Sequence, residues 1–88
     1  MKLKYNFIVN EVAGEYVAVA VGDDLNKFGG FIKMNDVATY IFKMLMSETD
    51  EDTIVAAMVK DFPDTSETEI RETVIEFVGK LKDAEVLL

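Results

Sequence analysis

The apolar pattern changes at Asn35 from the two-residue period of β-strands to the period of helices, and this change constrains the fold most strongly. Before it, Phe7–Val12 and residues 15–21 are rich in β-branched and aromatic residues. The pair between them, Ala13-Gly14, predicts a two-residue hairpin turn. The first part of the chain is therefore predicted to be a β-layer.

A turn-rich connection over residues 22–30 leads to Phe31–Met34, which predicts a short third strand. If the sheet runs in sequence order, this strand lies at its edge. Lys33 is the charged residue on it, and edge lysines commonly protect against aggregation. An open edge can also accept a peptide as an added strand, and the two roles are compatible.

Three helices are predicted after the strands. Asn35 can cap the first, which runs over residues 36 to about 47 and is apolar on nearly every face. Thr49-x-x-Asp52, a variant capping box, predicts the start of the second, and Pro63 its end. Ser66-x-x-Glu69 is a full capping box and predicts a third helix to about residue 83. The predicted class is α+β in the order βββααα.

Composition removes most enzyme classes. The 88 residues predict a single domain, 1–88, and they include neither cysteine nor histidine. The usual ligands of zinc, haem and iron–sulfur clusters are thus missing, as are Ser–His and Cys–His nucleophile pairs. A Mg²⁺ or Ca²⁺ site built from carboxylates alone remains conceivable. We predict no cofactor, no metal site, no catalytic residue and no enzymatic activity.

Charge argues against a nucleic-acid partner. The chain has 9 Lys+Arg against 17 Asp+Glu, a net charge of −8, whereas nucleic-acid-binding domains are usually basic. No segment approaches the roughly 18–20 apolar residues of a membrane span, and no signal peptide is evident. We predict a cytoplasmic protein that does not associate with membranes.

The third predicted helix carries a wide apolar arc. One stripe is formed by Ile70, Val74, Phe77 and Leu81. Beside it, rotated by roughly 60–100°, lie Arg71, Ile75, Val78 and Lys82. These four could form a groove with an apolar floor and a cation at each end for acidic groups of a bound chain. Alternatively they pack on the strands or the C-terminal tail, and the pattern alone leaves both interpretations open.

Several segments together resemble the PqqD family, which is named after pyrroloquinoline quinone (PQQ) biosynthesis. They are V-A-G-E-Y in the predicted hairpin, F-I-K-M-N at the third strand, D-V-A-T-Y-I-F-K-M-L and T-D-E-D-T-I-V-A-A-M in the first two helices, and F-V-G-K-L-K-D-A-E-V-L-L at the end. Members of the family serve as recognition elements for ribosomally synthesised and post-translationally modified peptides (RiPPs). The sequence departs from many relatives at Glu85, where they have a glycine.

The resemblance implies a winged-helix-like fold with three antiparallel strands and three helices. It also implies a chaperone that binds the leader segment of a precursor peptide as an added strand between the third strand and the third helix. The peptide is then presented to a modifying enzyme, frequently a radical S-adenosylmethionine protein. Carried over by position, the peptide-binding residues would be Phe31, Ile32, Lys33, Met34, Arg71, Ile75, Val78 and Lys82.

Two other functions fit the predicted fold. A winged-helix DNA-binding regulator would use the third helix for recognition, but four glutamates there outnumber Arg71, Lys80 and Lys82. An oligomerisation or protein-interaction subunit could use the same edge strand, and the sequence permits a monomer or a homodimer.

Overall fold

The computed structural model describes all 88 residues, and the first part of the chain forms a three-stranded antiparallel sheet. The strands are β1 (Phe7–Val12), β2 (Glu15–Ala20) and β3 (Phe31–Met34), in the order β1-β2-β3. Ala13 and Gly14 have φ angles of 53° and 82°, as the tight turn of a hairpin requires. A short 3-10 helix, Gly22–Asn26, lies within the predicted connection. The predicted meander is confirmed, with β2 one residue shorter.

Three helices follow: α1 (Asp36–Met44), α2 (Glu51–Asp61) and α3 (Glu67–Asp83). The α+β class and the order βββααα are therefore confirmed. The prediction that α1 extends to about residue 47 is wrong. After Met44 the backbone tightens, because Met46 N–H donates to Lys43 O at 3.2 Å and Ser47 N–H to Met44 O at 3.3 Å. Bonds that reach back only three residues end an α-helix with a 3-10 turn.

Side-chain caps start all three helices. Asn35 Oδ1 accepts from Ala38 N–H at 2.8 Å, and Ser66 Oγ accepts from Glu69 N–H at 3.2 Å, as predicted. The predicted cap of α2 is wrong, because Asp50 fills that position and accepts from Thr53 N–H at 2.7 Å. The backbone hydrogen bond from Thr53 lowers the pKa of Asp50 below its usual value.

The core lies between the inner face of the sheet and the helices. Its fully enclosed side chains include Ile41, Phe42 and Leu45 of the α1 region and Ile54 of α2. The C-terminal tail joins this core, since Val86 is completely buried and Leu87 forms a β-bridge with Leu3. The chain ends therefore pack beside each other. None of the helices has the length and apolar character needed to cross a membrane.

The buried stripe of α3 differs from the predicted one at a single position. Ile70, Val74 and Leu81 are buried as expected, but the fourth fully buried residue is Val78 rather than Phe77. Phe77 is half-buried at the margin of the core. The stripe is therefore rotated away from Phe77, which leaves one flank of α3 partly open.

Candidate functional site: a groove between the edge strand and the last helix

β3 pairs only with β2, so its other side is an open edge. Val21 N–H donates to Asn6 O at 2.9 Å, and bonded pairs alternate along an antiparallel ladder. The main-chain groups of the odd-numbered residues of β2 therefore form hydrogen bonds with β1. Those of the even-numbered residues of β2 form hydrogen bonds with the even-numbered residues of β3. It follows that the main-chain N–H and C=O groups of Phe31 and Lys33 point out of the sheet at the open edge.

A hollow of about 300 Å³ lies between this edge and α3. We call it the β3–α3 groove. On the strand side it is lined by Ile32, Lys33, Met34, Asn35 and Ala38. On the helix side it is lined by Phe77, Lys80, Leu81 and Ala84. The lining is mainly apolar, and a lysine stands on each side.

The four predicted β3 residues divide between the two faces of the sheet. Ile32 and Met34 point inward, and both line the groove. Phe31 is on the outer face with 59% of its surface exposed. Lys33 is also exposed, and its Nζ lies 3.7 Å from Glu15 Oε2 on the neighbouring strand. All four thus lie along the open edge, where an added strand would contact them.

The four predicted α3 residues do not line the groove. At about 100° per residue, Arg71, Ile75 and Lys82 lie nearly opposite the groove-lining flank of Phe77, Lys80 and Ala84, with the core stripe between them. The hollow beside β3 therefore does not include these residues. Both flanks border the same apolar stripe, so helical periodicity alone could not determine which one faces the strand.

Two of the predicted α3 residues are engaged elsewhere. Val78 is only 1% exposed, so it belongs to the core and is closed to a ligand. Arg71 Nη1 donates to Asp52 Oδ1 at 2.9 Å, and this hydrogen bond raises the pKa of the guanidinium. Arg71 also approaches Glu67, with 3.9 Å between Nη2 and Oε1. The pair with Asp52 ties α3 to the start of α2 rather than to β3.

A second hollow, of about 270 Å³, adjoins the groove where α1, the end of α2 and the first turns of α3 meet. We call it the interhelical hollow. It shares Asn35 with the groove and includes Val37, Phe62 and Thr73. Sequence reasoning did not find it, because its lining comes from three helices whose relative placement periodicity does not give.

One wall of this region is held by a pair of contacts between α1 and the end of α2. Tyr40 Oη donates to Asp61 Oδ2 at 2.5 Å, and the Tyr40 and Phe62 rings meet edge to face at 5.4 Å. The hydrogen bond to Asp61 raises the pKa of Tyr40 to about 12. Tyr40 and Asp61 thus keep Phe62 against the hollow.

Some acidic residues outside the groove have local partners. Asp24 accepts from Asn6 N–H at 2.7 Å and lies 3.6 Å from Lys27 Nζ. Glu11 and Asp36 raise the pKa of Tyr16 near the tip of the hairpin. No three His, Cys, Asp or Glu side chains are grouped as metal ligands.

The profile of the family described as coenzyme PQQ synthesis protein D (PqqD) matches residues 8–87. The chain therefore belongs to the PqqD family. One similar solved structure is described as TbiB1 in complex with the TbiA(beta) leader peptide. The two share 17% identity with a TM-score of 0.73, over 99% of this chain and 94% of that one, which shows a common fold. No curated protein matches this chain.

Proposed function

We propose that residues 1–88 form a single non-catalytic recognition domain, which binds the leader segment of a ribosomally made precursor peptide as a fourth strand on β3. The carrying observation is the open main chain of Phe31 and Lys33 directly beside an apolar groove. Membership of the PqqD family supports the assignment, and so does the fold shared with TbiB1, a protein described in complex with a leader peptide.

The edge and the groove would contribute different parts of the affinity. Phe31 and Lys33 offer four main-chain groups, and a hydrogen bond adds about 0.5–1.5 kcal/mol net. Micromolar binding needs about 8 kcal/mol, so main-chain pairing leaves a deficit that side-chain burial must fill. Alternate side chains of an added strand would point into the groove beside Ile32 and Phe77. Specificity then depends on those alternate positions.

The charges favour acidic as well as apolar side chains in the peptide. Lys33 and Lys80 stand on the two sides of the groove in a chain of net charge −8. Lys80 Nζ is 3.5 Å from Glu76, and this exposed pair can open at little cost. A bound carboxylate at the groove would thus meet the local cations, although the whole molecule repels it at long range.

The chemistry would belong to a partner. A modifying enzyme, of the radical S-adenosylmethionine type that the family resemblance implies, would act on the presented peptide. Precursor peptides made on ribosomes arise in the cytoplasm, so a cytoplasmic location belongs to the same proposal. The protein would act as a monomer, or as a homodimer whose β3 edge opens for the peptide.

The test uses a peptide-display library of random 16-residue sequences, selected against the protein, with the winning peptides then synthesised and titrated. Lys80→Glu and Lys82→Glu form a matched pair, because both reverse an exposed charge in the last turns of α3 but on opposite flanks. Lys80→Glu should weaken peptides with acidic side chains at least about fivefold, and Lys82→Glu less than twofold. Equal effects would refute the groove, and a library without specific binders would refute the function.

Strand addition has its own test. Methylating single backbone nitrogens of a selected peptide removes one hydrogen-bond donor at a time. The affinity should fall only at alternate positions, those whose N–H faces Phe31 or Lys33. A uniform or absent effect would exclude pairing with β3. Light scattering with and without peptide measures the oligomeric state, and a peptide-resistant dimer through β3 would favour the oligomerisation function instead.

A further inference from the structure

The flank of α3 that lines the groove and the interhelical hollow together is longer than β3. From Glu69 to Ala84 it spans 15 steps, or about 22 Å at 1.5 Å per residue. β3 has four residues, which cover about 13 Å at 3.3 Å each. A peptide paired along β3 therefore leaves about 9 Å of this flank uncovered. That length corresponds to about three more residues of extended chain.

The uncovered length leads into the interhelical hollow. Asn35 follows β3 directly and lines both hollows. Thr73 lies one helical turn before Phe77 on the same flank, so a chain that leaves the Met34 end of β3 passes from one hollow to the other. The two hollows thus lie one after the other along α3 and meet at Asn35.

The size and lining of the interhelical hollow fit one apolar side chain. Its volume of about 270 Å³ is below the roughly 300–1,000 Å³ of typical small-molecule sites. Val37 and Phe62 provide an apolar wall, and Met58 and Ile70 lie beneath it. The hydroxyl of Thr73 is already bonded to Glu69 O at 3.0 Å, which leaves it no donor for a polar guest.

We propose that the interhelical hollow is a second recognition subsite, which takes one apolar side chain of the same peptide about three residues beyond the stretch paired with β3. This inference rests on the proposed function and specifies its ligand further. Large aliphatic or aromatic side chains fit, and acidic ones are disfavoured because the exposed acidic residue Glu69 is part of the lining. The protein thus recognises the peptide at two places. One is the alternate side chains of the stretch paired with β3, and the other is the apolar side chain beyond it that enters the interhelical hollow, which we call the anchor.

The test fills the hollow from within. Thr73→Phe places a ring on the groove-lining flank, and Glu72→Phe places the same ring on the exposed far side of α3. The probes are a peptide selected from the display library and two shortened forms, each lacking four residues at one end. Burying one large apolar side chain changes affinity by about tenfold or more. Thr73→Phe should therefore weaken the full peptide at least tenfold, whereas Glu72→Phe should change it less than twofold.

The shortened peptides separate the anchor from the strand. One of them, which lacks the anchor, should bind about tenfold more weakly than the full peptide and be insensitive to Thr73→Phe. Circular dichroism melts verify that the Thr73→Phe and Glu72→Phe variants fold. If Thr73→Phe leaves the full peptide unaffected while Lys80→Glu still weakens it, the subsite is refuted and the proposed function stands. A loss that is equal for all three peptides also refutes a separate subsite, and a selection without binders refutes both.

Discussion

Glu85 adopts a backbone conformation that usually belongs to glycine. Its φ angle is 60°, in the left-handed region, directly after the last turn of α3. Val86 N–H donates to Leu81 O at 3.2 Å and Glu85 N–H to Lys82 O at 3.0 Å, the bond pattern of a Schellman motif. The buried side chains of Val86 and Leu81 supply the apolar contact that accompanies this motif. Glu85 thus holds a helix-ending turn at a position that glycine usually occupies.

Replacing Glu85 by glycine should stabilise the protein. A left-handed conformation costs an ordinary residue about 1–2 kcal/mol, and glycine avoids this cost. Glycine also makes the unfolded chain more flexible, which lowers the stability of the fold by about 0.4–1 kcal/mol and so offsets part of the gain. We expect Glu85→Gly to raise the free energy of unfolding by about 0.5–1 kcal/mol in urea titrations. Glu85→Ala is the control for the lost carboxylate, since it keeps the Cβ and should give no such gain. Equal gains from both variants would assign the effect to charge instead.

The helix starts show how far local sequence determines an element. Asn35 and Ser66 were predicted as caps and act as caps, because each is a single good acceptor placed directly before a helical pattern. At α2 the pattern predicts Thr49 as the cap, and the structure uses the neighbouring Asp50 instead. The Thr49 hydroxyl is buried without a partner, while its carbonyl accepts from the Met1 amine at 2.7 Å. That long-range contact is invisible in the local pattern.

The predicted cap of α2, Thr49, and the observed cap, Asp50, make opposite predictions for mutation. Asp50→Ala removes the acceptor of Thr53 N–H and should lower the free energy of unfolding by about 1 kcal/mol. The Thr49 side chain makes no hydrogen bond, so Thr49→Ala should lower the free energy of unfolding by less than about half of the loss expected for Asp50→Ala. The lowered pKa of Asp50 means that its contribution is present above the unfolded carboxyl pKa and lost as the pH falls. Denaturation at neutral and acidic pH measures both effects, and a larger loss for Thr49→Ala would contradict the observed cap.

The element bounds were easier to predict than the surfaces. The bounds of β1, β3 and the end of α3 follow from turn residues and periodicity close to each of them. The flank of α3 that lines the β3–α3 groove could not be predicted in this way, because a 100° period gives the angle of each side chain but not the position of the partner strand. Phe77 and Val78 are neighbours in the sequence, and only the packing of α3 against α2 and β3 decides which of them is buried.

At the scale of the whole molecule, both chain ends are part of the packed structure. Leu3 N–H donates to Leu45 O at 2.8 Å, and Lys4 N–H donates to Val86 O at 2.7 Å. The N-terminal segment thus lies between α1 and the C-terminal tail. None of these terminal residues lines the groove beside Phe77 and Lys80, so the ends stabilise the domain without forming part of the proposed site.

The tail offers a matched pair of variants that tests this arrangement. Val86 is fully buried, whereas Leu88 is 74% exposed. Val86→Ala deletes two buried methyl groups at about 0.8 kcal/mol each and leaves a small cavity, so the free energy of unfolding should fall by about 2 kcal/mol. Leu88→Ala removes a larger side chain but should cost less than about 0.5 kcal/mol, because little of it leaves water on folding. Urea titrations of both variants test this prediction, because similar losses would mean that the tail does not pack as described.

Peptide affinity should be unchanged in Val86→Ala at temperatures where it stays folded, since the groove does not include the tail beyond Ala84.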